Sequence, residues 1–232
     1  MRILIKLSGE ALGENGVLFD FAQMNRVAEA IAELHMAGYE IAVVIGGGNI
    51  WRGRRGPAAC MNAVTADQMG MLGTVINSLA MQDALERAGL EALVMSAVEM
   101  KRFAEPHVPR RAVELLKAGC IVLFAAGTGD PFHSTDTAAA QRAAEISADA
   151  LLMAKNIDGI YDKNPHEYPD AKRIPDLTYA CALSINQGAV DHGALVLLKE
   201  VHFPKLFVFA LKQPETIVRA ASGENLGTLV HP

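Results

Sequence analysis

The residues best equipped for chemistry stand at two strand ends. Arg2-Ile-Leu-Ile-Lys-Leu7 runs straight into Ser8-Gly9, so an apolar strand carries Lys6 at its close and opens onto a Ser-Gly turn. Turn amides and a lysine ammonium at one point suit the oxygens of a phosphate. A second strand, Ile41-Ala-Val-Val-Ile45, empties into Gly46-Gly47-Gly48-Asn49, and Arg52 follows one helical turn on, where it can fork onto phosphate oxygens. Three glycines in a row sacrifice backbone entropy, and close approach of backbone to phosphate explains them better than a bare turn. Two such loops hold two phosphate groups close together, which is what phosphoryl transfer asks of a protein.

Stepping outward, the chain alternates apolar runs of strand length with helix-period segments. Strands are expected at Ile3–Leu7, Ile41–Ile45, Ala92–Ser96, Ile121–Ala125, Ala150–Ala154 and Leu206–Ala210. Helices are expected at Phe21–Ala37, Thr65–Ala88, Arg110–Ala118 and Asp136–Ser147, the first three each closed by a glycine. Continuous apolar strands joined by helices predict an α/β fold: an open, mostly parallel sheet with helices on both faces. The stretch from Asp158 to Pro175, rich in Asp, Asn, Lys and Pro, reads as hairpins and loops. A single domain over 1–232 with two functional halves is expected.

Composition limits the alternatives. The 232 residues are 51% hydrophobic, enough for a full core, and the net charge of −5 offers no general basic field for nucleic acid. No apolar run approaches the ~20 residues of a membrane span, and no signal-peptide layout is visible, so a cytoplasmic protein is expected. Cys60, Cys120 and Cys181 are odd in number and widely spaced, suggesting neither disulfides nor a zinc site. The seven histidines show no ligand spacing. There is no G-x-x-x-x-G-K-[ST] motif, and Gly46–Trp51 fails G-x-G-x-x-G at its last position, which excludes the usual P-loop and argues against a dinucleotide site.

Several blocks together resemble the bacterial uridylate (UMP) kinases of the amino-acid kinase superfamily: Lys6–Leu12, Val43–Gly53, Ala66–Leu72, Asn77–Asp83, Gly127–Ala138, Met153–Asn156, Asp158–Tyr161 and Gly227–Leu229. They span essentially the whole chain, in order. The resemblance implies a three-layer sandwich, a homohexamer, and transfer of a phosphoryl group from ATP to UMP. It also implies Mg2+ bridging nucleotide phosphates with little direct protein coordination and no dedicated metal ligand, GTP as activator and UTP as inhibitor.

Carried over residue by residue, the resemblance makes Lys6, Arg52 and Asp136 catalytic. Lys6, Leu7, Ser8, Gly9, Gly48, Arg52, Asn156, Tyr161 and Asn164 would bind ATP. Gly47, Asp67, Thr128, Gly129, Asp130, Pro131, Phe132, His133, Ser134 and Thr135 would bind UMP. The N-terminal half would then hold mainly the acceptor and phosphates, and the C-terminal half mainly the adenosine. Plainer readings exist for several of these: Asp67 as a carboxylate at the start of a helix, favourable to its dipole, and Ser134 or Thr135 as an ordinary N-cap. Arg54 and Arg55 read as solvent-exposed or as a subunit contact. Asp130 and His133 stand where these kinases usually carry Asn and an aromatic, and Asn164 replaces a frequent Asp, which leaves base selectivity open. Two other readings compete: a superfamily kinase acting on a carboxylate, carbamate or isoprenoid phosphate, and a non-catalytic nucleotide-binding relative.

Overall fold

The computed structural model describes residues 1–13, 17–52, 60–165, 167–185, 188–211 and 213–232. Its strands are β1 (Arg2–Leu7), β2 (Glu40–Ile45), β3 (Ala92–Ser96), β4 (Glu105–Pro106), β5 (Ile121–Ala125), β6 (Ala150–Lys155), β7 (Ile160–Tyr161), β8 (Arg173–Ile174), β9 (Asp176–Thr178), β10 (Leu206–Ala210) and β11 (Gly227–His231). Its α-helices are α1 (Phe21–Met36), α2 (Ala63–Arg87), α3 (Pro109–Lys117), α4 (Thr135–Glu145), α5 (Tyr179–Ile185), α6 (His192–Glu200) and α7 (Glu215–Ala221), and Gly9–Leu12 forms one 3₁₀ turn.

Nine strands make one sheet in the order β4-β3-β5-β2-β1-β6-β10-β11-β9, and β7 pairs with β8 as a separate hairpin. Within the large sheet only β10 and β11 run antiparallel. Strand periodicity explains the layers. Ile3, Ile5 and Leu7 of β1 face a core built with α1, α2 and α7, whereas Leu4 faces one built with α3, α4, α5 and α6. Both faces of each central strand are covered, so these strands appear in sequence as unbroken apolar runs rather than alternating ones.

The six expected strands and four expected helices are all present, each within two residues of its expected ends. The hairpin expected after Asp158 is β7–β8. One expectation is corrected: α2 begins at Ala63, capped by the Asn62 side chain, so Asp67 lies in the second turn and not at the helix start. The dipole therefore offers it less than a first-turn position would. The same alternation also places Lys6. It points to the Leu4 side of β1, toward α4, at the carboxyl edge of a parallel sheet whose strand order runs away from β1 in both directions. That edge is where open α/β sheets bind ligands.

Candidate active site

Asp136, in the first turn of α4, is the centre of the site. Its Oδ1 lies 2.9 Å from Lys6 Nζ, and its Oδ2 lies 2.5 Å from Lys155 Nζ at the end of β6. The register pairs Lys6 with Met153, and Lys155 follows two residues later on the same face of the sheet. The backbone N–H of Asp191, the N-cap of α6, donates to Asp136 Oδ2 at 3.2 Å. Burial alone would raise the Asp136 pKa, but the two ammonium groups outweigh it and hold the carboxyl well below its usual range. Lys155 is pulled down from the ordinary lysine value, first by burial and further by Lys6, with Asp136 opposing. The cluster carries one positive charge in excess, buried and aimed at the mouth of the strands.

The glycine loop is fixed by packing that differs at each position. A Cβ at Gly47 would meet the Gly70 carbonyl oxygen of α2 at 2.6 Å, so Gly47 is required for close contact with that helix. A Cβ at Gly9 would lie 2.6 Å from the Gly46 oxygen and 2.9 Å from the Gly48 nitrogen, which is how the two loops come to touch. Only Gly48 of these faces open space. Behind the loop, the buried Asn77 amide donates to the Gly46 carbonyl at 2.6 Å and to Asn49 Oδ1 at 2.7 Å. Leu7 holds Gly46 through its carbonyl, while its own side chain is core. The three glycines thus differ in surroundings: Gly47 is packed against α2, a Cβ at Gly46 would lie 3.3 Å from the Gly9 nitrogen, and Gly48 faces open space.

Three adjoining cavities share lining residues and form a trough across the sheet edge. The first, about 350 Å³, is lined by Gly47, Gly48, Trp51, Arg52, Asp67, Thr128, Asp130, His133, Ser134 and Thr135, with Thr74 behind. The middle one, about 480 Å³, shares Gly48 and Arg52 with the first and Ser8 and Asn156 with the third. The third, about 370 Å³, is lined by Lys6, Ser8, Lys155, Asn156, Tyr161 and Asn164 together with Ile157, Pro165 and Ala189. Glu10 spans the middle, paired with the Arg52 guanidinium and with the Asn156 amide.

The structure brings most of the expected site residues to this trough: Lys6, Ser8, Asn156, Tyr161 and Asn164 line the third cavity, whereas Gly48 and Arg52, expected on the ATP side, line the first and middle ones, and Leu7, Gly9 and Asp136 line none of the three. Gly129, Pro131 and Phe132 fall outside the walls of the first cavity. Gly129 abuts Ala97, and Phe132 turns its ring to solvent while its backbone N–H donates to Asp67 Oδ2 at 2.7 Å. Asp67 therefore ties α2 to this loop as well as facing the cavity. Ser134 is the N-cap of α4, accepting from the Thr137 N–H at 3.2 Å. Tyr161 donates to Asp158 Oδ1 at 2.8 Å, which raises its pKa. Arg54 and Arg55 lie outside the described residues. Sequence reasoning passed over Lys155, Glu10 and Asn77 as site residues. Lys155 had a visible signal, since it closes an apolar strand just as Lys6 does.

A parallel sheet that sets a lysine-bridged aspartate and a glycine loop over a two-lobed trough defines a phosphotransferase architecture. The chain belongs to the amino acid kinase family, which matches residues 1–205. Within that family it is similar to the UMP kinase of Bacillus anthracis, at 37% identity over 99% of this chain and 95% of that one, with a TM-score of 0.93. It is similar to the UMP kinase of Ureaplasma parvum at 36% identity, covering 100% of this chain and 98% of that one, with a TM-score of 0.92. A uridylate kinase from Archaeoglobus fulgidus shares the fold at 23% identity, over 99% and 100% of the two chains, with a TM-score of 0.73.

Proposed function

We propose that this chain is a UMP kinase, transferring the γ-phosphoryl group of ATP to UMP to give ADP and UDP. The observation that carries the reading is the trough itself: two lobes joined through a middle cavity that shares residues with both, with the Lys6–Asp136–Lys155 cluster on the donor side. UMP lies in the first cavity, its ribose hydroxyls donating to Asp67 and its phosphate meeting the Gly47–Gly48 backbone and Arg52. ATP lies in the third, with adenosine toward Asn156, Tyr161 and Asn164 and its phosphates over Ser8 and Lys6.

An oxygen of the UMP phosphate attacks the γ-phosphorus, a new P–O bond forms there, and the bond to the β-phosphate oxygen breaks as ADP leaves. The second pKa of a phosphate monoester is about 6, so the acceptor is already largely a dianion at neutral pH and no base is needed. Asp136 is unsuited to that task in any case, because both of its oxygens are engaged by ammonium groups. Its role is alignment: it holds Lys6 and Lys155 where negative charge builds on the transferring group, the preorganised electrostatics on which phosphoryl transfer depends.

Among the described residues no three carboxylate, histidine or cysteine groups converge on one point, and Glu10 and Asp136 already face cations. Mg2+ keeps several waters and would be held mainly by phosphate oxygens, and Glu10, which lines the middle cavity, would receive one of its waters. When bound it neutralises charge between the β- and γ-phosphates.

The same proposal includes 1–232 acting as one domain in the cytoplasm, assembly as a homohexamer, GTP as activator, UTP as inhibitor, and supply of UDP to pyrimidine nucleotide synthesis. Leu72 and Ile76 support assembly: they are 50% and 48% exposed, one turn apart on the outward side of α2. No helix among the described residues is long and apolar enough to cross a membrane. A coupled assay of ADP formation with UMP, CMP and carbamate as acceptors tests the reading. UMP should be preferred by at least tenfold. ATP binding without turnover on any acceptor overturns it in favour of a non-catalytic protein.

A further inference from the structure

The loop between β5 and α4, residues 126–134, forms one wall of the acceptor cavity and holds an unusual backbone. Ala126 and Phe132 have φ of 62° and 70° without being glycine, and Gly127 and Gly129 are positive as well. Such conformations persist where surrounding contacts over-determine them. Two of those contacts come from α2 and line the cavity: Thr74 Oγ1 accepts the Ala126 N–H at 2.8 Å, and Asp67 accepts that of Phe132 at 2.7 Å.

The third comes from behind. Arg142, on α4 and only 3% exposed, donates through Nη2 to the Gly127 carbonyl at 3.1 Å, with the Thr128 carbonyl at 3.5 Å. Its Nη1 donates to Glu145 Oε2 at 2.6 Å. A guanidinium buried this deeply needs both partners to offset its desolvation. The Glu145 carboxylate is in turn fixed by Gln141 on Oε1 at 2.9 Å and by His107 Nε2 on Oε2 at 2.7 Å. A carboxylate only accepts, so Nε2 carries the proton. The His107 ring stands edge-on to Phe124 of β5, with centroids 5.1 Å apart, and its side chain is 9% exposed. Burial acts to raise the Glu145 pKa, but the His107, Arg142 and Gln141 hydrogen bonds prevail and lower it to about 2, so this carboxylate is charged throughout the neutral range.

We propose that His107, Glu145 and Arg142 form a buried brace that sets the shape of the acceptor loop, making them positioning residues for the acceptor nucleotide. None of the three lines the trough. They act through Gly127 and Thr128, and the kinetic part of the inference rests on the function proposed above. Losing a charge-assisted hydrogen bond of this kind corresponds to about tenfold or more in an equilibrium constant.

Two measurements test it. In Arg142→Lys, which keeps the charge and loses the fork, KM for UMP should rise at least tenfold while KM for ATP stays within twofold. His107→Phe, which keeps the ring against Phe124, should raise KM for UMP by severalfold, and His107→Gln, which restores a donor, should return it to within twofold. Amide hydrogen exchange at Ala126–Phe132 in the nucleotide-free protein should be at least tenfold faster in Arg142→Lys and faster in His107→Phe. Equal rises in both KM values, or unchanged loop exchange, would overturn the brace. If Arg142→Lys does not fold, the His107 pair decides the question by the same criteria. Faster loop exchange in a protein that does not phosphorylate UMP would leave the brace standing and sink the function instead.

Discussion

Lys155 donates to Asp136 Oδ2 at 2.5 Å, the counterpart of the bond that Lys6 makes to Oδ1. The carboxylate therefore acts as a spacer between two ammonium groups, and loss of either lysine should disturb the other. Lys155→Met is expected to lower kcat by about 10²-fold, as removal of one preorganised charge typically does, with KM for UMP changed less than threefold. Steady-state kinetics on both substrates check this. A kcat within fivefold of the parent would remove Lys155 from the reaction.

The Gly47 and Gly48 environments predict opposite kinds of defect. At Gly47 an added Cβ lies 2.6 Å from a helix carbonyl, so Gly47→Ala should cost about 1–3 kcal/mol as overpacking does. At ~2–4 °C per kcal/mol for a chain of this size, Tm should fall by several degrees. At Gly48 the space is open, so Gly48→Ala should leave Tm within a degree and depress turnover by crowding the phosphate. Calorimetry and activity on the two variants should separate cleanly, and a matched loss of Tm in both would contradict the assignment.

Asp67 both faces the acceptor cavity and holds the Phe132 amide. Asp67→Ala should raise KM for UMP by about tenfold, the scale of a hydrogen bond to a charged group, without affecting KM for ATP. Trp51 is the sole tryptophan of the chain and lines the same cavity, so its fluorescence provides a direct binding signal. UMP should change that emission in the parent protein at lower concentration than in the variant. A response to ATP alone would indicate that the two lobes are assigned the wrong way round.

Glu145 yields a pH prediction with a definite sign. Its folded pKa is about 2 against an ordinary value of 4.5, so below pH 4.5 the unfolded chain takes up the proton first. Stability supplied by this group is present above about pH 4.5 and is lost as pH falls toward 2. Glu145→Gln should therefore flatten the dependence of Tm on pH across that window, while also lowering Tm at pH 7. Thermal unfolding at half-unit intervals measures it, and parallel curves for the two proteins would rule out the depressed carboxyl.

How much of this was legible in the sequence depended on whether a signal was local. The central strands were, because burial on both faces writes them as apolar runs. Lys155 was passed over because the strand expected at Ala150–Ala154 stopped one residue short of it. α6 was passed over although its Asp191 cap and inward Ala194, Leu195 and Leu198 follow helical spacing. The acceptor loop was legible in composition but not in shape. Its positive φ values at Ala126 and Phe132 carry no glycine to announce them, and they are imposed by Thr74 and Asp67, more than fifty residues earlier in the chain. The Glu10 pairing with Arg52 and Asn156 depends likewise on three separate loops meeting.

The central claim is that Lys6 meets the charge in flight between ATP and UMP and does not hold the acceptor. The measurement that tests it most directly is UDP formation by Lys6→Ala protein whose affinity for UMP is determined in parallel by calorimetry. Turnover should fall by at least 10³-fold, on the scale of losing a principal electrostatic contact, while the UMP dissociation constant stays within threefold. Loss of UMP binding together with turnover, or turnover that survives, would contradict the account.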